Sequence, residues 1–122
     1  MHEFHKQLGV PLESFSPLNP QQNPFTKEEL KSLPPLLQDP LLQELGKKYS
    51  RTPGQIVLNW HIRMGHHIFP RMTSEAHLAE NMEIFDFELS EDDVKKIGSM
   101  DKQARFYDKV PVERYNWIPI TM

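Results

Sequence analysis

The sequence contains no cysteine, no long apolar run and no excess of positive charge. The lack of cysteine excludes disulfide frameworks, thiolate zinc sites and catalysis by a thiol. No apolar run approaches the roughly 18 residues that a membrane-spanning helix needs, so we expect no membrane role. The chain opens without the basic and apolar segments of a secretory leader, which favours a cytoplasmic location.

The charge balance is slightly acidic, with 14 lysines and arginines against 17 aspartates and glutamates and a formal net charge of −3. This balance provides no broad surface for phosphate groups, so we expect no nucleic-acid partner. A length of 122 residues suffices for one modest domain with its own core. The 11 prolines cluster before Leu41 and near the end of the chain, which predicts irregular connections in both regions.

The first third of the chain predicts a helix, a short strand and a long connection. Residues 1–9 have the pattern of a final helical turn, with Phe4 and Leu8 on one face and Gly9 as a left-handed cap. Residues 10–15 form a strand candidate that the following prolines end. Residues 21–35 form a long connection with one helical turn, indicated by the spacing of Thr26 and Glu29.

Two helices of the middle region have starts marked by proline. Asp39 and Thr52 each precede a proline, which is the order of an N-cap and a first helical position. Gln55 completes a capping box with Thr52. On the second helix we predict that Asn59 and Arg63 lie on the polar face. The apolar stripe of the first helix contains Leu41, Leu42, Leu45 and Tyr49. The apolar face of the second contains Ile56, Val57, Trp60 and Met64.

The last third alternates between strand and helix patterns. Residues 67–70 are short and apolar, which predicts a strand buried on both faces. Ser74 is placed to cap a helix with Leu78 and Met82 facing inward, and Ser90 is placed to cap a last helix. Strands and helices in this alternating order predict parallel α/β structure.

Four segments in a fixed order resemble the aldo-keto reductases over nearly the whole chain. They are LESFSPL at residues 12–18, TPGQIVLNWH at 52–61, FPRMTSEAHLAEN at 69–81 and FDFELS at 85–90. The resemblance implies an incomplete (β/α)8 TIM barrel, in which residues 10–15 are strand seven and residues 68–70 are strand eight. Residues 1–103 would form this partial barrel with its cofactor-binding end, and residues 104–122 an irregular C-terminal tail.

The same resemblance implies an NADPH site at this end of the barrel. Phe15 matches the position that stacks on the nicotinamide, and Ser16 and Leu18 match positions that touch the pyrophosphate. Arg71 stands in place of the usual lysine, and its planar guanidinium can hold a phosphate bidentately. Glu80 matches an adenine-contacting position. The implied cofactor-binding residues are Phe15, Ser16, Leu18, Arg71, Thr73, His77, Glu80 and Asn81.

Two departures from the family pattern predict weak cofactor binding. Met72 replaces the usual serine and cannot donate a hydrogen bond to phosphate. His77 replaces an arginine that stacks on adenine and pairs with the 2′-phosphate. Losing one charge-assisted hydrogen bond costs about 1.5–3 kcal/mol. We therefore expect weak NADPH binding and a reduced preference for the phosphorylated cofactor.

The six histidines do not predict a metal site. His2 with His5, and His66 with His67, supply only pairs of ligands. Zinc requires three or four converging ligands, and neighbouring strand residues point to opposite faces. We expect no metal ion.

The family reaction transfers hydride from the nicotinamide to an aldehyde or ketone, with a tyrosine as proton donor tuned by lysine, aspartate and histidine. Those groups belong to the first half of the barrel, and Tyr49, Tyr107 and Tyr115 lie in no matching context. The sequence thus predicts a C-terminal portion of an NADPH-dependent aldo-keto reductase without catalytic residues, inactive alone.

Two alternatives remain open. One is a non-catalytic nucleotide-binding or regulatory remnant that associates with a partner, or with itself, through exposed half-barrel edges. The other is a partly ordered polypeptide without function.

Overall fold

The computed structural model of the chain describes residues 2–18 and 33–101. Apart from Leu33, these residues belong to one compact unit. The predicted helical turn at Thr26, the aromatic tail and Tyr107 and Tyr115 lie outside the described residues. In the described part, no helix is long and apolar enough to span a membrane.

Helices and strands follow one another in the order that the sequence predicted, with two α-helices between the strands and two after the second strand. In order they are α1 (His2–Leu8), β1 (Glu13–Phe15), a 3-10 helix (Leu36–Gln38), α2 (Pro40–Tyr49), α3 (Pro53–Arg63), β2 (His67–Phe69), α4 (Glu75–Met82) and α5 (Glu91–Gly98). Gly9 ends α1 with a φ of 65°, which is the left-handed cap expected there. The chain is therefore an α/β protein with few strands.

The two strands pair in parallel and form the sheet of the described region. Their register joins Glu13 to His67, Ser14 to Ile68 and Phe15 to Phe69. Both strands are shorter than predicted, because the pairing covers only three residues of each. Proline after each strand cannot donate a ladder hydrogen bond, which limits the sheet at this end.

The prediction that β2 is buried on both faces was wrong. His67 and Phe69 are exposed, and Ile68 between them is half-buried. Alternate strand residues point to opposite faces, so only the Ile68 face is covered by other residues. Helix α3 packs against β2. Among the described residues, the opposite face of the sheet remains open.

Each α-helix after β1 starts at the cap that the sequence predicted. Asp39 Oδ1 accepts a hydrogen bond from the Leu41 amide at 2.9 Å. Thr52 and Gln55 form the complete capping box at the start of α3. Ser74 and Ser90 accept hydrogen bonds from backbone amides three residues later. These short-range contacts fix where the helices begin.

The core forms where α2, α3 and α5 meet. Its buried residues are Leu42, Leu45, Ile56, Val57, Leu89 and Ile97. Asn59 was predicted on a polar face but is only 4% exposed. The chain after α4 covers that side of α3, and Asn59 Nδ2 donates to the carbonyls of Ile84 at 2.8 Å and Phe87 at 3.0 Å. Asn59 therefore anchors this segment and does not face solvent.

The prediction that Leu78 and Met82 face inward was also wrong. Leu78 is 45% exposed and Met82 is 62% exposed, and α4 has no fully buried residue. Among the described elements, α4 packs only against α3. Its helical pattern was correct, but no described element covers its apolar face.

A buried carboxylate joins α5 to α2. Asp93 Oδ2 accepts hydrogen bonds from Lys48 Nζ at 2.6 Å, the Tyr49 hydroxyl at 2.6 Å and Ser90 Oγ at 2.9 Å. Lys96 Nζ lies 3.4 Å from Oδ1. The hydrogen bonds from Lys48 and Tyr49 hold the pKa of Asp93 far below its usual range. Asp93 is thus a charged anchor within the fold.

Candidate functional site

The parallel strand pair brings two loops to one edge of the sheet. Because Phe15 and Phe69 are register partners, the chain leaves β1 and β2 at the same end. Ser16 follows one strand, and Pro70 with Arg71 follows the other. In open α/β sheets, ligands bind at the carboxyl ends of parallel strands, so this edge is the candidate site.

Phe15 presents an accessible aromatic ring at this edge. Its exposed fraction is 65%, and that of Phe69 is 58%. Register partners project to the same face of a sheet, so both rings lie on the open face. A flat ligand can stack on such a ring without displacing the core.

The chain turns sharply immediately after Phe15. Ser16 has a φ of 53°, which is the left-handed region that non-glycine residues rarely adopt. Pro17 is buried, and Leu18 is half-buried against the core. The Leu18 side chain therefore packs inward, and any ligand contact at Leu18 would involve mainly its backbone.

The second loop carries the predicted phosphate-binding residues into the start of α4. Arg71 and Thr73 are exposed, and Ser74 begins the helix by accepting a hydrogen bond from the His77 amide at 3.2 Å. His77 is exposed on the first turn. The arrangement places an exposed guanidinium three residues before a helix N-terminus, where anions are favoured.

Glu80 and Asn81 lie at the other end of α4 and are half-buried. The Thr52 hydroxyl donates a hydrogen bond to Glu80 Oε1. Gln55 Nε2 donates to the Glu80 carbonyl at 3.0 Å. The start of α3 therefore holds both the side chain and the backbone of Glu80.

The structure places six of the eight predicted cofactor-binding residues in two groups. Phe15, Ser16, Leu18 and Arg71 lie at the sheet edge, and Glu80 and Asn81 lie near the start of α3. Thr73 and His77 lie on the connection and first helical turn that link the two groups.

Sequence reasoning missed the long-range role of the capping box. Thr52 and Gln55 were recognised only as a local helix start, although they also contact Glu80 across 28 and 25 positions of sequence. A capping-box motif contains no signal for such a partner, because its hydrogen bonds to the helix are local.

A pair of histidines lies between α3 and β2. The Nδ1 atoms of His61 and His66 are 3.0 Å apart, and Trp60 packs edge-on against both rings. Burial, together with the neighbouring His66, lowers the pKa of His61 to about 4. His61 is therefore uncharged at neutral pH and can share one hydrogen bond with His66. The described residues contain no group of three potential ligands positioned to hold a metal ion.

The sequence profile of the Aldo/keto reductase family matches residues 2–102. The chain belongs to the aldo/keto reductase family. Aldo-keto reductase family 1 member D1 of Oryctolagus cuniculus is 38% identical over 106 residues, which cover 87% of this chain and 32% of that protein. The NAD(P)H-dependent D-xylose reductase XYR1 of Pyricularia oryzae is 30% identical over 105 residues, covering 85% of this chain and 32% of that protein.

Solved protein structures share the fold of this region. An aldo/keto reductase from Brucella melitensis superimposes with a TM-score of 0.66 and 31% identity, over 81% of this chain and 32% of that chain. Gox0644 in its apo form superimposes with a TM-score of 0.69 and 32% identity, over 83% and 32%. This aldo/keto reductase chain thus spans about a third of the length of the relatives it matches.

Proposed function

We propose that the chain is the cofactor-binding C-terminal portion of an NADPH-dependent aldo-keto reductase. In this proposal β1 and β2 correspond to strands seven and eight of a (β/α)8 barrel, residues 1–103 form the partial barrel and residues 104–122 the tail. The observation that carries the proposal is the parallel register of Phe15 with Phe69, because it directs both loops to one edge. The chain's membership of the family supports the same assignment.

Each part of a nicotinamide dinucleotide has a counterpart among these residues. The exposed ring of Phe15 would stack on the nicotinamide, and the turn at Ser16 and Leu18 would face the pyrophosphate. Arg71, with Thr73 and the start of α4, would hold the 2′-phosphate. The adenine would lie against His77, Glu80 and Asn81. In a whole enzyme, bound NADPH would supply the hydride for the reduction of an aldehyde or ketone.

The composition of the phosphate region supports weak binding. Met72 is 46% exposed, and its thioether has no hydrogen to donate to phosphate. His77 offers an imidazole and not the permanent cation of an arginine. Arg71 is then the main cation at this subsite, and the preference for NADPH over NADH is small.

The described residues support an inactive chain rather than a complete enzyme. The Tyr49 hydroxyl donates to Asp93 at 2.6 Å and accepts from the Ser90 amide at 3.0 Å. Both contacts hold α5 against α2. The Tyr49 hydroxyl therefore stabilises the fold, and we do not assign it as the proton donor of a reaction. We therefore assign no catalytic residue.

NADPH titration followed by the cofactor's own fluorescence tests this proposal. The chain should enhance the emission, and Arg71→Ala should weaken the affinity about tenfold or more through loss of a charge-assisted hydrogen bond. Lys95→Ala is the matched control, since it removes one positive charge from an exposed position on α5. No enhancement with the unmodified chain, or equal effects of the two substitutions, would overturn the proposal.

Exposed apolar side chains favour a second candidate, a nucleotide-binding remnant that associates with a partner or with itself. Phe15 and Phe69 lie on an open sheet face, while Phe4 is 60% exposed and Met82 is 62% exposed. Large uncovered apolar surfaces mark interaction sites in soluble proteins. Light scattering coupled to size-exclusion chromatography tests whether the chain associates. A stable monomer that also binds no partner barrel would contradict this second candidate.

A further inference from the structure

The two residues of the α3 capping box also donate hydrogen bonds to Glu80. Thr52 Oγ1 accepts from the Gln55 amide at 3.2 Å, and the Thr52 amide donates to Gln55 Oε1 at 3.0 Å. These two bonds close the capping box. The remaining donors, the Thr52 hydroxyl and Gln55 Nε2, both bind Glu80.

The donor and acceptor roles in this network follow from the hydrogens and lone pairs that each group carries. A hydroxyl has one hydrogen and two lone pairs, and in Thr52 one lone pair accepts the hydrogen bond from the Gln55 amide. The hydroxyl hydrogen is therefore free to point at the carboxylate of Glu80. Gln55 is only 4% exposed, so its side chain cannot form hydrogen bonds with water instead.

The network fixes the orientation of the Glu80 carboxylate. Oε1 is held by Thr52, and within residues 2–18 and 33–101 no hydrogen bond is made by Oε2. An ion pair between Arg51 and Glu83, at 3.6 Å, holds the same end of α4 against the start of α3. One carboxylate oxygen is thus anchored while the other remains available as an acceptor.

We propose that Thr52 is a positioning residue for adenine recognition, which orients Glu80 so that its second oxygen accepts a hydrogen bond from the 6-amino group. This inference rests on the proposed cofactor site. An oriented carboxylate accepts from an amino group and repels a carbonyl oxygen at the same position. The site therefore discriminates adenine from hypoxanthine, and Thr52 contributes to that discrimination without touching the base.

The test compares NADPH with its analogue that carries hypoxanthine in place of adenine. Thr52→Asp retains a helix-capping oxygen but has no hydrogen for Glu80 and places a second negative charge beside it. Thr52→Ser keeps both functions of the hydroxyl. Thr52→Gly removes the hydroxyl at a helix N-cap position, where glycine is also tolerated. Dissociation constants for both dinucleotides are measured with each variant, and thermal unfolding confirms that each is folded.

In the unmodified chain and in Thr52→Ser, NADPH should bind more tightly than the hypoxanthine analogue by the same ratio. In Thr52→Asp that ratio should fall about two- to tenfold, which is the cost of ordering one freed side chain on binding. Thr52→Gly should lower the ratio in the same direction and serves as the test if Thr52→Asp does not fold.

Two results separate the failure of this inference from that of the cofactor site. NADPH binding that depends on Arg71 but shows an unchanged ratio in Thr52→Asp, or in Thr52→Gly when that variant replaces it, overturns the role of Thr52 and leaves the site intact. A chain that binds neither dinucleotide overturns both.

Discussion

Phe15 and Phe69 are register partners in the parallel pair of β1 and β2, and their rings lie on the same open face of the sheet. Parallel pairing uses backbone hydrogen bonds and needs no side-chain contact within the candidate site. It directs the turn at Ser16 and the loop at Arg71 to one edge because both follow their strands immediately. The backbone register, rather than any side-chain contact, is therefore what assembles the site.

Replacement of Phe15 separates ligand stacking from fold stability. Its ring is 65% exposed, so Phe15→Ala should change the free energy of unfolding by less than about 0.5 kcal/mol. The same change should weaken NADPH binding about five- to thirtyfold, equivalent to about 1–2 kcal/mol for a lost stacking contact. Phe15→Tyr keeps the ring and should bind like the original chain. A large loss of stability in Phe15→Ala would show that the ring serves the core.

Removal of the buried charge at Asp93 should destabilise the fold. Asp93→Asn loses the ion pair with Lys48 and weakens the hydrogen bond from Tyr49, at a cost of about 1–3 kcal/mol in the free energy of unfolding. Asp92→Asn is the matched control, since Asp92 is exposed in the same first turn and contributes only to the helix dipole. Urea denaturation of both variants measures the difference, and equal costs would contradict the anchoring role.

The contribution of Asp93 should also disappear in acid. Its folded pKa lies below the value of about 3.9 for an unfolded aspartate, so the stabilisation is present above that pH. It is lost as the pH falls through the folded pKa. The stability difference between the original chain and Asp93→Asn should therefore be constant from pH 7 to about 5 and shrink below pH 4. A difference that persists unchanged in strong acid would contradict this assignment.

His61 should make stability depend on pH in a higher range. Burial lowers its folded pKa from 6.5 to about 4, so the unfolded chain binds this proton more tightly. The contribution is complete above pH 6.5 and is lost as the pH falls towards 4. Between pH 7 and pH 5 the loss amounts to at most about 2 kcal/mol, because the imidazole is only partly buried.

His61→Gln cannot titrate and provides the comparison for that loss. Denaturant midpoints at pH 7 and pH 5 should shift less for His61→Gln than for the original chain. His67→Gln, at an exposed strand position, should retain the full shift. If the original chain and His61→Gln respond equally to pH, the titration of buried His61 does not cause the effect.

The sequence predicted those parts of the fold that depend on neighbouring residues. Asp39, Thr52, Ser74 and Ser90 cap their helices as expected, because a cap needs only the amides two or three residues later. Burial could not be predicted in the same way. Asn59 is buried by the carbonyls of a segment 25 positions later, and Met82 is exposed because no described element covers it.

The candidate site shows the same difference between features that depend on neighbouring residues and contacts between distant segments. Residue types and order indicated which side chains to consider, and the pairing of β1 with β2 placed two loops together as parallel α/β patterning implies. The contact of Thr52 with Glu80 joins two helices, so it follows from their packing and from no local pattern. Cofactor contacts at all eight predicted positions stay predictions.

The central claim is that one dinucleotide contacts both the end of β1 and the start of α4. Amide chemical-shift changes during NADPH titration, recorded by two-dimensional NMR, test this claim most directly. We expect Ser16 and Leu18, together with residues between Arg71 and Asn81, to shift along one binding curve with a single dissociation constant. Shifts confined to one of the two segments, or two unrelated binding curves, would contradict the account.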